Sequence, residues 1–345
     1  MTHALHPPSY PRRTLLKYAC GAASWWAAPQ VSMAHVLDAP ECIAPAKIGG
    51  GFDLTCKLVG EIVSGAHPAG KPLRISYLPG GIGAVAYDRV VTQRLHNPQA
   101  LVAFSSGSLL NLVQGKFGRH DASDVRWVAA LGMDYGAIAV HKNSPIQTVR
   151  DLFQQLQQDF SRVVFGAGGT VGSQDWVKAA LLVRAAGRDH KAMRFVSFEG
   201  GGEALAALEG KHVSVFCGDA AEALQSVDAG AQIRVVAILS EKRLPGARAH
   251  LPTAVEQGLN LVWPVVRGVY VGRNVSDDDY NQWVEVFQAA ARAPGYEAMR
   301  TRHRLDASHL SGKALDAFVH QQTVAYQVLA RQLGLRVSGT DPQKK

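Results

Sequence analysis

The sequence predicts an α/β fold with mostly parallel sheets, built as about two domains. Three observations carry this. Short apolar runs alternate with helical patterns along most of the 345 residues, and strand followed by helix, repeated, is the signature of parallel sheets. The length exceeds the roughly 100–200 residues usual for one domain. Glycine is frequent, with 34 residues, and it clusters where a strand candidate ends and a helix candidate begins, as tight βα turns require.

In chain order the strand candidates are Glu41–Pro45, Leu73–Leu78, Leu101–Ser105, Gly136–His141, Val163–Gly166, Met193–Ser197, Val213–Phe216, Arg234–Leu239 and Val266–Val271. The helix candidates are Asp53–Ser64, Gly83–Arg94, Leu109–Gln114, Val149–Asp159, Gly172–Ala186, Glu203–Leu208, Ala220–Ala229, Pro252–Gln257, Asp277–Ala291, Gly295–Arg302 and Gly312–Leu333. Residues 338–345 read as a polar tail.

Composition narrows the function. Hydrophobic residues make up 47% and charged residues 19%, a globular balance that argues against wholesale disorder. No apolar stretch reaches the ~18 residues of a membrane span. The net charge is +8, but the basic residues are interleaved with acids. A nucleic-acid protein would show a basic stripe with aromatics, so no nucleic-acid partner is expected. A mildly basic body suits a small anionic ligand.

The amino end reads as an export signal. Arg12, Arg13 and Lys17 precede a mostly apolar run from Tyr18 to Val31, and Ser32-Met33-Ala34 supplies a small-x-small cleavage site. The arginine pair resembles a twin-arginine signal, with a general secretory signal as the alternative. Residues 1–34 are therefore set apart from the fold. Export bears on Cys42 and Cys56, fourteen positions apart. In an oxidising compartment a disulfide between them is favoured over two buried thiols. No Cys-x-x-Cys or His-Glu-x-x-His motif supports a zinc site, and no metal is assigned.

The glycine-rich turns are the informative motifs. They are Gly49-Gly50-Gly51-Phe52-Asp53, Pro79-Gly80-Gly81-Ile82-Gly83, Ser105-Ser106-Gly107-Ser108, Gly166-Ala167-Gly168-Gly169-Thr170-Val171-Gly172-Ser173, Phe198-Glu199-Gly200-Gly201-Gly202-Glu203 and Cys217-Gly218-Asp219. Each one lets backbone approach a ligand, and the helix that follows offers free N–H groups and a positive dipole end. An anion can be held there by backbone donors alone. Any single turn is explained equally well as a tight connection. Taken together, the set points to a ligand cleft at the carboxyl ends of the strands. Gly81-Ile82-Gly83-Ala84-Val85-Ala86 also fits a weak dinucleotide fingerprint. The next strand ends at Phe104-Ser105-Ser106, without the acid that a ribose needs.

No nucleophile motif occurs, and no catalytic residue is assigned. Asp53 and Asp219 read either as helix caps or as ligand contacts. Arg267, inside the apolar run 263–271, needs an anionic partner. That partner is either a structural carboxylate or a ligand.

The stretch Glu41-Cys42-Ile43-Ala44-Pro45-Ala46-Lys47-Ile48-Gly49-Gly50-Gly51-Phe52-Asp53-Leu54-Thr55-Cys56 resembles the opening of the tripartite tricarboxylate transporter receptors, or Bug family. The likeness continues through Leu78–Ala86, Phe104–Asn111, Gly166–Trp176, Phe198–Ala204, Leu239–Pro245, Pro252–Gly258 and Trp263–Gly268. The opening and Trp263–Gly268 look closer to the citrate-type branch. The resemblance implies a type II periplasmic binding protein, a two-lobed Venus flytrap with helices on both sheet faces and a two-strand hinge. One lobe would comprise residues 35–140 and 267–337, the other 141–266.

The resemblance further implies capture of a di- or tricarboxylate and delivery to membrane permease subunits. The protein would be a periplasmic monomer and not an enzyme. Implied contacts are Gly50, Phe52, Asp53, Gly81, Ile82, Ser106 and Ser108 on one lobe. Gly168, Thr170, Ser173, Gln174 and Asp219 face them from the other, with Arg267 near the hinge. No cofactor is implied, although a chelating ligand could bring a divalent cation within reach of Asp53 or Asp219. Alternatives are a receptor acting on a sensor kinase, an acidic amino-acid receptor, and an exported nucleotide-dependent enzyme. Two departures stand out: Ile48 replaces a usual proline, and Phe216-Cys217-Gly218 replaces a small polar residue with a thiol.

Overall fold

The computed structural model describes residues 35–338. The export segment 1–34 and nearly all of the expected tail lie outside the described residues. The described chain forms two lobes, each built on its own sheet.

The first part of the chain runs β1 (Glu41–Ala44), α1 (Gly51–Ala66), β2 (Arg74–Tyr77), α2 (Ala84–Gln93), β3 (Ala100–Ser105), α3 (Ser106–Val113) and β4 (Val125–Tyr135). The second part runs β5 (Ala137–His141), α4 (Val149–Gln158), β6 (Val164–Gly168), α5 (Gln174–Ala185), β7 (Arg194–Phe198), α6 (Gly201–Glu209), β8 (Val215–Phe216), α7 (Ala220–Asp228) and β9 (Ile233–Ile238). The chain then returns through β10 (Pro264–Gly272), α8 (Asp277–Arg292), α9 (Tyr296–Arg302), β11 (Leu310–Ser311) and α10 (Gly312–Gln332).

Strand order is β11-β4-β10-β3-β1-β2 in the first sheet and β7-β6-β8-β5-β9 in the second. The expected parallel pairing holds for β2-β1-β3 and β7-β6-β8. The strands at the crossings run antiparallel to their neighbours: β10 against β3 and β4, and β5 against β8 and β9. Both sheets are therefore mixed.

The crossings are compact. Gly136 separates β4 of the first sheet from β5 of the second. Its N–H donates to Trp263 O at 2.9 Å, Leu239 N–H donates to Gly136 O at 2.8 Å, and Trp263 N–H donates to Leu239 O at 2.8 Å. Three passes of the chain are thus tied backbone to backbone where the sheets meet.

The helices begin where capping chemistry allows. Thr148 caps α4 in a reciprocal box with Asp151, Ser173 caps α5, and Ser276 caps α8 ahead of three aspartates in its first turn. One apolar cluster joins α2, α3, α4, α5 and α10 to the sheets. A second packs α1, α8 and α9 on the first sheet, and a third packs α6 and α7 on the second. Cys42 of β1 and Cys56 of α1 are joined by a disulfide, and Cys217 is a buried free thiol.

Three elements differ from the sequence reading, the shortest being the two-residue β11, which is not among the strand candidates. Pro252–Gln257 is a turn, not a helix. Thr253 and Glu256 form a reciprocal cap, but Gly258 follows at φ +85° and ends the helix after one turn. The eleven-residue β4 is absent from the strand candidates. It lies between β10 and β11 with most of its residues buried, so its sequence lacks the alternation that marks a half-exposed strand.

Candidate functional site

The glycine-rich turns converge where the lobes meet. In the first lobe α1 starts at Gly51 after Gly50, with no side-chain cap. Asp53 organises this turn from behind. Its carboxylate is fully buried and accepts from Gly49 N–H at 3.0 Å, Lys57 Nζ at 2.8 Å and Tyr77 OH at 2.8 Å. In the second lobe α6 starts at Gly201 after Gly200, also without a side-chain cap. Neither helix start is capped by the side chain of its own N-cap residue, and both carry positive dipole ends.

Glu222 of α7 sits between them. It accepts from Gly51 N–H at 3.1 Å and from Asp219 N–H at 3.3 Å. A Cβ on Gly201 would overlap its carboxyl group, and a Cβ on Gly51 would overlap the Arg267 guanidinium. Both glycines are required by close approach. Burial, with the charges of Asp219 and Asp175 adding to it, pushes the Glu222 carboxyl up to about 8.

Behind the cavity lies a buried ionic chain. Arg267 Nη2 donates to Asp134 at 2.9 Å and to Asp219 at 2.7 Å. Lys178 Nζ reaches Asp219 at 2.7 Å, Asp175 at 2.9 Å and Gly218 O at 2.6 Å. Asp134 also accepts from the Ala221 and Tyr135 N–H groups at 3.1 and 2.8 Å. Asp175 accepts from Gly168 N–H at 2.9 Å. Every charge here is paired, as burial demands. Burial works against the Lys178 ammonium, but Asp175 and Asp219 outweigh it and hold the group above its ordinary value. Burial raises Asp134 and Asp175, whereas Lys178 and Arg267 overcome burial at Asp219 and hold it low.

The inner cavity has a water-accessible volume of about 50 Å³. Its walls come from the turns at Gly50–Phe52, Ser105–Gly107, Gly168, Ser173–Asp175 and Glu199–Gly201, together with Ile82, Asn111, Asp219, Glu222 and Arg267. An outer cavity of about 230 Å³ shares Ile82, Asn111, Ser173 and Glu199 with it and adds Gly81, Lys116 and Thr170. Burial lowers the Lys116 ammonium to about 8. Among the described residues no group of three or more His, Cys, Asp or Glu is arranged to hold a metal ion.

Residues 102–335 match the family described as "Tripartite tricarboxylate transporter family receptor". The chain belongs to this family. It is a family of solute receptors, not of enzymes. Three solved structures share the receptor's fold. The periplasmic binding protein BugD is 17% identical with a TM-score of 0.76, covering 86% of this chain and 98% of its own. The R. palustris protein Rpa4515, solved with adipate, is 18% identical with a TM-score of 0.77 and the same coverage. MatC (Rpa3494) from Rhodopseudomonas palustris, with bound malate, is 18% identical with a TM-score of 0.72, covering 84% of this chain and 98% of its own. Comparison with curated proteins finds no match.

In this receptor the residues expected at the site divide into two groups. Gly50, Phe52, Ile82, Gly168, Ser173, Gln174, Asp219 and Arg267 line the inner cavity, and Gly81 and Thr170 line the outer one. Asp53, Ser106 and Ser108 line neither. Ser106 Oγ accepts from Val266 N–H at 2.9 Å, and Ser108 completes the cap of α3 with Ser105. The hydrogen bonds of these three side chains shape the turns. Arg267 has the structural carboxylate partners Asp134 and Asp219 and also borders the cavity.

Sequence reasoning missed Asn111, Asp134, Asp175, Lys178 and Glu222. Only Glu222 carried a local signal, because Asp219 followed three residues later by Glu222 is a capping-box spacing.

Proposed function

We propose that this protein is a periplasmic receptor that captures a small di- or tricarboxylate, citrate-like in class, between its two lobes. It then delivers the ligand to the membrane permease subunits of a tripartite tricarboxylate transporter. The observation that carries this reading is the cavity between the lobes, walled by two helix starts whose N-cap residues are glycines and bordered by Arg267. Backbone N–H groups at α1 and α6, with the remaining Arg267 donors, suit carboxylate oxygens. Family membership supports the reading, as do the adipate and malate held by proteins of the same fold.

The proposed lobes are residues 35–140 with 267–337, and 141–266. Sheet membership favours crossings a few residues earlier, at Gly136 and between Leu239 and Trp263. Closure is a hinge motion selected by ligand. Export uses the amino-terminal segment, and the receptor acts as a monomer because one ligand between two lobes needs no partner copy.

Thermal unfolding of refolded, ligand-stripped protein tests the reading. Ligand at 100-fold its dissociation constant adds about 2.7 kcal/mol, on the order of several degrees for a chain of this size. A rise confined to di- and tricarboxylates is expected. No rise with any carboxylate would contradict the assignment.

A further inference from the structure

The acids buried at the inner cavity are not equally paired. Asp134 pairs with Arg267 at 2.9 Å and Asp175 with Lys178 at 2.9 Å. Asp219 pairs with both cations at 2.7 Å. Glu222 is buried as well and lines the cavity. Its oxygens accept only from backbone, Gly51 N–H at 3.1 Å and Asp219 N–H at 3.3 Å, and among the described residues it forms no ion pair.

Glu222 also stands against both lobes. Gly51 opens α1 of the first lobe and Gly201 opens α6 of the second, and a Cβ on Gly201 would lie 2.0 Å from Glu222 Oε1. The same carboxyl group thus meets the two helix starts proposed to hold ligand. Facing it are Asp219 of its own helix start, Asp175 and Lys178 of α5, Arg267 of β10 and Asp134 of β4. Asp53 of α1 is held by Lys57, and Glu203 of α6 by Lys47. His141 of β5 is bonded to Asn143 N–H, and Arg234 of β9 to the carbonyls of Lys142, Ser144 and Ile146. At Glu222 the repulsion of Asp219 and Asp175 exceeds the attraction of Arg267 and Lys178.

A carboxyl group buried without a cation favours its neutral form, and a second negative charge nearby favours that form further. A bound carboxylate supplies such a charge, in a space where acids already outnumber cations. Arg267 and Lys178 anchor the three aspartates as anions, so Glu222 is the group left to hold a proton. We infer that capture is proton-linked: the receptor binds a carboxylate ligand with Glu222 neutral, and ionisation of Glu222 weakens the hold. In alkaline solution one proton moves from solvent to the Glu222 carboxylate as ligand enters, and returns to solvent as it leaves. This rests on the receptor reading and adds a regulation of the same site. Titration of the free group at about 8 brings the change within a workable pH range. Lys116 borders the outer cavity, and burial lowers it to about 8 as well. Loss of its ammonium would weaken anion binding in the same direction, so the test has to separate the two.

Titration calorimetry of the refolded, ligand-stripped receptor with citrate, malate and adipate tests this. The compound that binds most tightly at pH 7.5 is then followed to pH 9, in two buffers of different ionisation enthalpy that together count protons. Affinity is expected to fall at least fivefold over that range, with proton uptake rising toward one per ligand. Constant affinity without proton uptake would overturn the inference and leave the receptor reading standing. If none of the three binds, the receptor reading falls and takes the inference with it. Glu222→Gln, which cannot ionise, is expected to cut the fall to less than twofold. A fall as steep as before in that variant would overturn the role of Glu222. Lys116→Arg stays cationic throughout and is expected to keep the fall. Loss of the fall in Lys116→Arg would assign the linkage to Lys116 and overturn the inference, and this arm holds even if Glu222→Gln fails to fold.

Discussion

At the scale of single residues, Arg267 and Glu222 show what buried charge does here. Removing one partner of a buried pair strands the other, at about 3–5 kcal/mol. Arg267→Met should therefore lower stability by about that amount, leaving Asp134 with only backbone donors. Denaturant unfolding measures it, and an unchanged midpoint would show that the pairing is not maintained in solution.

Glu222 adds a pH signature. Its folded carboxyl titrates at about 8, well above the usual carboxylate range, because of burial and the charges of Asp219 and Asp175. The folded chain therefore holds this proton more tightly than the unfolded chain. Stability from this group is fully present below about 4.5 and is lost as pH rises through about 8. Raised Asp134 and Asp175 act in the same direction. The thermal midpoint should fall between pH 5 and 8.5, and Glu222→Gln should flatten that fall. An equal fall in the variant would assign the effect to other groups.

At the scale of elements, the turn between β1 and α1 is braced from three sides. The Cys42–Cys56 disulfide closes a loop of about 15 residues, worth about 3 kcal/mol in the chain-entropy model. Asp53 ties Gly49 to Tyr77 and Lys57, and Gly51 leaves room for Arg267. Replacing both cysteines by alanine should lower stability by about 3 kcal/mol, read by calorimetric unfolding. Gly51→Ala should leave α1 intact by circular dichroism while weakening carboxylate binding at least tenfold, because its Cβ displaces the guanidinium. Unchanged binding would place the ligand away from this turn.

The same scale shows what the sequence made legible. Each glycine-rich turn could be found because strand, glycine and helix follow one another locally. Asp53 illustrates the limit: its motif marked the right turn, but only the fold shows its carboxylate bonded to Gly49, Lys57 and Tyr77. Asn111 and Lys178 sit inside helices α3 and α5, where nothing local separates them from ordinary helix residues. Their place at the site arises from lobes brought together across more than sixty positions of chain. Strand β4 was hidden for a related reason, since burial between two neighbours removes its alternation.

At the scale of the whole molecule, the account holds that two lobes, tied at Gly136, Leu239 and Trp263, close on one small polycarboxylate. Contacts across the cleft already join them. Gln114 Nε2 of the first lobe donates to Gly172 O at 2.7 Å, and Lys47 pairs with Glu203. Ligand adds to these contacts, so closure should be a shift in population and not a new fold. The most direct measurement is small-angle X-ray scattering of the refolded, ligand-stripped receptor, before and after saturation with the polycarboxylate that binds most tightly. The account predicts a smaller radius of gyration at one ligand per chain, with secondary structure unchanged. An identical scattering curve with and without bound ligand would contradict capture by closure.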